Sequence, residues 1–521
     1  MKNPNQDAAN TFYTFKTIAS YMNCFDPNDT TQLASFQSES KIKIIIAIPG
    51  FATCNKSTLD AFFKKPSAEL MNYYSNQIKT LGDLDFDPTD TALANYSIEN
   101  NIIYLDDVTP CDDSSNSNPS LEAPLDIQTS AMMGRGCPVE CWASKYSLLG
   151  LFAQIQSRAA SKDPDEKWIF SISWGTMSLC SLLKREMEVF KIDLGQDCDN
   201  IKLGAPSSCS SPCALTNQAY INACEMILED LTTNHNCIFF VSSGDTGPTS
   251  STAQGQLINY AVDYPTSSKY VISAGGINYG EVAPSGQSTA VTSLVKSISK
   301  GAIGIATPLS ADERTNSVPI STVGGIIEPL AVTGGGFSGY NSNDTIDIKA
   351  RASQTPFLNA YQTSTTFPEG YTNSIPWNSS SPQRGIPDIS ACMSNAIVAG
   401  WATSMKASTN PSKLLNMIKN NNSTSADAFA LANGDGTSLS SPLLAGFFAV
   451  LLSYQDLPEG VSLIDFLYAH PDCFDKPQTV GTSTYYGING FTSTTESKTW
   501  DPCVGLGTPN FLKLYNALKA S

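Results

Sequence analysis

Histidine is nearly missing: His235 and His470 are the two in 521 residues. The commonest base for a serine nucleophile is therefore scarce, and both histidines sit in loop-like settings, one between Asn234 and Asn236, the other before Pro471. Positive charge is short as well. Lys+Arg 31 against Asp+Glu 48 gives a net charge of −17, which repels phosphate backbones and anionic lipid and argues against a nucleic-acid or membrane-surface partner. Long apolar runs are lacking: the longest, Leu443 to Leu452 with Gly446 inside it, is about half of the roughly 20 residues a membrane helix needs. No membrane span is expected. The first 21 residues carry Lys2 and then polar Asn, Gln and Asp, without the apolar stretch of a secretory leader, so no signal peptide is visible. Cysteine, at 14 of 521, is too thin for a disulfide scaffold and leaves the redox compartment open.

What is present suits a large globular enzyme core. Hydrophobic residues make up 41% and charged residues 15%, enough apolar side chain for a sizeable core. Residues 1 to about 40 are polar and read as an N-terminal extension. The first buried-strand signal is the β-branched run Ile42 to Ile48, stopped by Pro49-Gly50. Strand-like runs then alternate with helical patterns: Asn101 to Leu105, a helix from Leu125 through Leu151, Trp168 to Ser173, a helix from Asn217 to Leu231, Cys237 to Val241, Tyr270 to Ser273, and a helix from about Ser438 to Tyr454. That alternation predicts an α/β fold with a mostly parallel central sheet flanked by helices. Two stretches, near 178–214 and 280–332, read as insertions into a single domain spanning 41–521.

Three constellations could carry chemistry. Gly436-Thr-Ser438-Leu-Ser-Ser-Pro442 opens the last apolar helix; a serine there is expected to be exposed, with its own N–H pointing at a developing oxyanion, although an N-cap serine has the same look. Subtilisin-type enzymes share this turn but need an upstream histidine in a glycine-rich turn, which this chain lacks. Carboxylates can replace it: Glu122-Ala-Pro-Leu-Asp126-Ile-Gln128 puts two acids at i and i+4 on one helical face, where they cannot both ionise easily. An ordinary acidic first turn of a helix would read the same. Asp245, in Ser242-Ser-Gly-Asp245-Thr-Gly247, follows a strand, where α/β sheets bind ligands and where plain turns also occur. Cys137-Pro-Val-Glu-Cys141 and Cys209-Ser-Ser-Pro-Cys213 have the look of paired zinc knuckles, but disulfides or buried thiols are the expectation and zinc is not.

In order along residues 41 to 515, these segments, with Ser171-Ile-Ser-Trp174-Gly175, Tyr264-Pro-Thr-Ser-Ser-Lys-Tyr270, Gly275-Gly276, Gly334-Gly335-Gly336-Phe-Ser338, Arg384-Gly-Ile-Pro-Asp388 and Trp500-Asp501 through Gly507, resemble the sedolisin family, the serine-carboxyl peptidases. The resemblance implies a subtilisin-like fold and an acid-acting peptidase. Ser438 would attack the scissile carbonyl, Glu122 would serve as general base and then acid, and Asp126 would hold Glu122. Asp245 would stay protonated to donate to the oxyanion. Trp174, Gly175 and Gly334 to Gly336 would line the cleft for a peptide or protein substrate. The family's one calcium site falls on Asp475, Lys476, Ser497, Thr499 and Asp501, of oxygen-donor chemistry suited to Ca²⁺ apart from the lysine side chain.

The chain departs from the family in three respects. In the calcium loop Lys476-Pro477 stands where Ile-Thr is usual and Ser497 and Thr499 where glycines are, Ile46-Ala47-Ile48 lacks a glutamate that often extends the carboxylate relay, and only about 40 residues precede the core where a long prosegment is customary. A monomer in an extracellular or acidic compartment is the resemblance's expectation. The reading from another class is a catalytically silent, sedolisin-like structural or binding protein. A histidine-dependent hydrolase would need His235 beside Ser438.

Overall fold

A computed structural model of the chain describes residues 11–12, 15–49, 102–104, 122–144, 146–175, 212–245, 249–251, 257–259, 264–277, 304–305, 333–337, 353–354, 384–393, 396–401, 429–434, 436–475, 500 and 504–521. Helix α1 (Phe15–Tyr21) precedes strand β1 (Ile42–Ile48), whose β-branched side chains are buried on both faces. Chain order continues through β2 (Ile102–Tyr104), α2 (Glu122–Gly134), β3 (Val139–Ala143), α3 (Leu148–Ala159), β4 (Lys167–Ile172), α4 (Pro212–Asn234), β5 (Cys237–Ser242) and β6 (Ile272–Ile277). The short strands β7 (Gly336–Phe337) and β8 (Gly385–Ile386) follow, then β9 (Ile389–Cys392), α5 (Thr437–Tyr454), α6 (Leu463–Ala469) and α7 (Phe511–Ala520).

One seven-stranded sheet in the order β9-β6-β5-β4-β1-β3-β2 organises these elements. All six of its strand pairs are parallel, the parallel α/β arrangement that the alternation of strands and helices predicts. Burial on both faces explains why β1 reads as a nearly continuous apolar run. Ile42, Ile44, Ile46 and Ile48 face the layer of α1, α2, α5 and α7, while Ile45 and Ala47 face α3 and α4. The sheet order turns at β1: the chain goes first to β2 and β3 on one side and then outward through β4, β5, β6 and β9 on the other. The crevice at such a turn, outside the carboxyl ends of the strands, is where open α/β sheets bind ligands.

The helix expected over Leu125 to Leu151 is instead three elements, α2, β3 and α3. Arg135 (φ 37°) and Gly136 (φ 101°) end α2 in the left-handed region, and Pro138 cannot continue it. The segment Val139–Ala143 that follows then pairs with β1. Helix α5 is long and apolar enough by composition to cross a membrane, with a mean hydropathy of 1.4 over 18 residues, but it is 83% buried. Its side chains pack against the sheet and α2, which is the work of a core helix. Residues 176–211 and 278–332 lie outside the described residues except Gly304–Ile305, and so do most of both segments read as insertions.

Candidate active site

Helices α2 and α5 both begin at the carboxyl edge of the sheet, and each brings a functional side chain in its first turn. Gly436 makes the approach to α5 with φ 99°, a conformation that a side chain would strain. A Cβ there would also lie 2.8 Å from Asp245 Oδ2. The helix start is then pinned to three strands: Ser440 Oγ donates to Ala391 O (3.1 Å) and Cys392 O (3.0 Å), and Ser441 Oγ donates to Phe240 O (3.0 Å) and lies 2.9 Å from Ser171 Oγ. Ser438 is consequently fixed and only 9% exposed, more enclosed than a serine at a glycine turn is expected to be. Its N–H is one of the first four of the helix, which have no intrahelical acceptor.

Glu122, Ser438 and Asp245 come together from three separate parts of the chain. The Ser438 hydroxyl hydrogen-bonds the Glu122 carboxylate. Burial, with the Asp245 charge adding to it, pushes Glu122 up to about 7, while the Ser438 hydrogen bond opposes the rise. Asp126, one turn further along α2, is fully buried and held well above the usual carboxylate range by burial and then by the Glu122 charge. Asp245 follows β5; burial raises its pKa against two hydrogen bonds from Thr437, N–H to Oδ1 at 2.7 Å and Oγ1 to Oδ1 at 2.9 Å. Among the described residues no lysine or arginine contributes to any of the three. Three clustered carboxyls without a cation hold protons to higher pH than isolated ones.

Ser173, in the segment Ser171–Gly175, joins the site. Pro442 stands four residues after Ser438, so the Ser438 carbonyl loses its helical N–H donor. Ser173 Oγ lies 3.3 Å from that oxygen and 2.9 Å from Asp126 Oδ1. The Ser-to-Pro spacing was the sequence signal that a donor had to come from elsewhere. Trp174 is half-buried against the core and Gly175 is exposed. Gly334 is buried and donates its N–H to Gly244 O at 2.7 Å; a Cβ on it would lie 1.9 Å from Ser243 O. Gly335 is also buried, and Gly336 pairs with Ile386.

His235 is far from this cluster. It lies 3.5 Å from Asp230 Oδ2 at the end of α4 and precedes β5, whereas Asp245 follows it; six residues at about 3.3 Å each separate the two ends. His470 packs against Phe466 with ring centroids 4.5 Å apart. Neither of these contacts involves Glu122, Asp245 or Ser438. The Cys137 and Cys141 thiols are buried and free, and burial raises both pKa values; Cys209 and Cys213 fall where no side chain is described. Of the five positions at which the resemblance expects calcium ligands, Asp475 is the described one, and its oxygens accept from Asn510 Nδ2 (2.9 Å) and Lys513 Nζ (2.8 Å).

The subtilase family, Peptidase S8, matches residues 148–462 of the chain. The chain belongs to the subtilase family. The match includes Asp245 and Ser438 of this subtilase but begins beyond Glu122 and Asp126. Over 98% of this subtilase and 99% of its counterpart, the fold superposes on Pseudomonas sedolisin, a serine-carboxyl proteinase solved with two molecules of pseudo-iodotyrostatin, at a TM-score of 0.52 and 17% identity. An 80-residue stretch is 38% identical to the tripeptidyl-peptidase sed1 of Aspergillus fumigatus, covering 15% of this chain and 12% of that protein. The match thus spans about an eighth of that relative's length.

Proposed function

We propose that this subtilase is a serine-carboxyl peptidase that hydrolyses peptide bonds through an acyl-enzyme on Ser438, with Glu122 in the place a histidine fills elsewhere in the fold. The observation that carries the reading is the Ser438–Glu122 hydrogen bond, with the His235 and His470 rings engaged with Asp230 and Phe466. Ionised Glu122 takes the Ser438 proton as Oγ attacks the carbonyl carbon, and returns it to the leaving amine. Asp126, held by Ser173, tunes Glu122 through the coupling of their charges. Neutral Asp245 and the Ser438 N–H donate to the oxyanion.

The mechanism requires an ionised Glu122 beside a protonated Asp245. An Asp245 charge is one of the influences that raise Glu122. When Asp245 carries its proton, that influence is gone and the rise in Glu122 is smaller. Activity then falls at low pH as the Glu122–Asp126 pair fills with protons, and at high pH as Asp245 loses its own. A peptide substrate enters extended along Trp174, Gly175 and the Gly335–Gly336 backbone. One calcium ion would be held by Asp475 and Asp501 with oxygens of Lys476, Ser497 and Thr499, in competition with the Lys513 ammonium at Asp475.

Hydrolysis of a peptide library from pH 2 to 8, read by mass spectrometry, tests the mechanism. Native cleavage with an optimum in acid, lost in Ser438→Ala and Glu122→Gln, is the expected result. A neutral optimum indifferent to Glu122 overturns the base assignment, and no cleavage by the folded chain favours the silent scaffold.

A further inference from the structure

Thr437, between the helix-starting Gly436 and Ser438, has every polar atom that faces Asp245 accounted for. It is 1% exposed. Its Oγ1 accepts a hydrogen bond from Gly244 N–H at 3.1 Å, so its own proton must point elsewhere, and the acceptor it reaches is Asp245 Oδ1 at 2.9 Å. Thr437 N–H donates to the same oxygen at 2.7 Å. Oδ1 thus faces two donors and cannot itself carry a proton towards either. Oδ2 lies on the other side, over Gly436, where a Cβ would stand 2.8 Å away. No described donor reaches it.

We propose that Thr437 is a positioning residue that fixes the Asp245 proton on Oδ2, so that a neutral Asp245 presents its O–H to the reaction instead of sharing the proton between two oxygens. A carboxylic acid has one donor oxygen and one acceptor oxygen, and rotation or proton exchange between them halves the productive population and leaves the donor unaimed. Two donors converging on Oδ1 remove that ambiguity. Gly436 is part of the same device, since any side chain there would fill the space beside Oδ2. The inference rests on the reading of Asp245 as an oxyanion donor. Its competitor is a structural role in which an ionised Asp245 merely caps α5 through Thr437 N–H. Glu122 is the ionisable group that also faces Asp245.

Two readouts separate these roles. With ¹³C-labelled aspartate, the infrared difference between the native chain and Asp245→Asn isolates the Asp245 carboxyl. In the native chain below its titration midpoint, the C=O stretch should lie at the low frequency of a carbonyl that accepts two hydrogen bonds; a free-carbonyl frequency, or an ionised carboxyl at pH 4, overturns the proposal whether or not the chain cleaves peptides. Thr437→Val keeps the shape and the N–H but removes the hydroxyl donor. It should move the midpoint upward by about one pH unit, move the alkaline limb of kcat with it and lower kcat about tenfold with KM unchanged. Thr437→Ser should restore all three. An unmoved midpoint in folded Thr437→Val, or failure of serine to rescue, refutes the positioning role. A native chain that shows the expected band but no cleavage would refute the peptidase reading and leave the proton placement intact.

Discussion

Gly446 meets Gly134 where the two helices that carry Ser438 and Glu122 cross: a Cβ at Gly446 would lie 2.8 Å from Gly134 N and 2.9 Å from Ser130 O. The third close atom is Met133 Cβ at 2.8 Å, fixed to its own backbone, so no side chain can swing away to admit a methyl group. Gly446 follows Ser438 by two helical turns, which ties the distance between nucleophile and base to this crossing. Gly446→Ala should cost about 1 to 3 kcal/mol of stability. It should also lower kcat by separating the helices, as measured by urea unfolding beside peptide hydrolysis.

Stability should fall as the pH rises towards neutrality. Glu122 has an ordinary value of 4.5 and is raised to about 7 in the fold. Between those values the native chain binds more protons than the unfolded one, so its advantage is complete below about 4.5 and is lost as the pH passes about 7. Asp126 and Asp245 act in the same direction. The urea midpoint should be higher at pH 4 than at pH 8, and Glu122→Gln should flatten the difference. A midpoint that rises with pH would contradict the burial of this cluster.

Ser173→Ala should remove the donor shared by Asp126 Oδ1 and the Ser438 carbonyl. Its hydrogen bond lowers the Asp126 pKa, so losing it raises that pKa further and moves the acid limb of the activity profile to higher pH. About 1 kcal/mol of stability should go with it. Ser173→Thr, which keeps a hydroxyl, should retain the native limb.

Arg384 and Asp388 form a buried ion pair whose remaining atoms are also satisfied: Arg384 donates to Thr266 O and Val271 O, while Asp388 accepts from Ser273 N–H and the Tyr468 hydroxyl. Strand β8 lies between them and pairs with Gly336. Arg384→Met should therefore destabilise by about 3 to 5 kcal/mol, because it strands a buried carboxylate. Arg384→Met/Asp388→Leu should cost less than the single change, in thermal unfolding.

Calcium binding should be weak in the native chain and tighter in Lys513→Gln, because the ammonium on Asp475 Oδ1 competes for the oxygen a dication would use. Calorimetric titration with CaCl₂ and the accompanying rise in Tm measure this without any assay of activity. No binding to either chain would remove calcium from the proposal.

The sequence by itself determined the parallel sheet, the Gly436–Pro442 helix start and the carboxylate pair at Glu122 and Asp126, because strand burial, helix capping and i,i+4 spacing are local properties. The same locality misled at Leu125 to Leu151: apolar content continued through a break that the left-handed Arg135-Gly136 turn and Pro138 impose, and only pairing with β1 turned Val139–Ala143 into a strand. Pro442 announced an orphaned carbonyl, but the sequence could not say that Ser173, 265 positions away, would answer it. Tertiary structure likewise decided that Glu122 titrates near 7 and that Thr437 grips Asp245 across 192 positions. Burial and long-range hydrogen bonds set a carboxyl's proton affinity, and neither exists until the sheet has brought the ends of β4, β5, α2 and α5 to one edge.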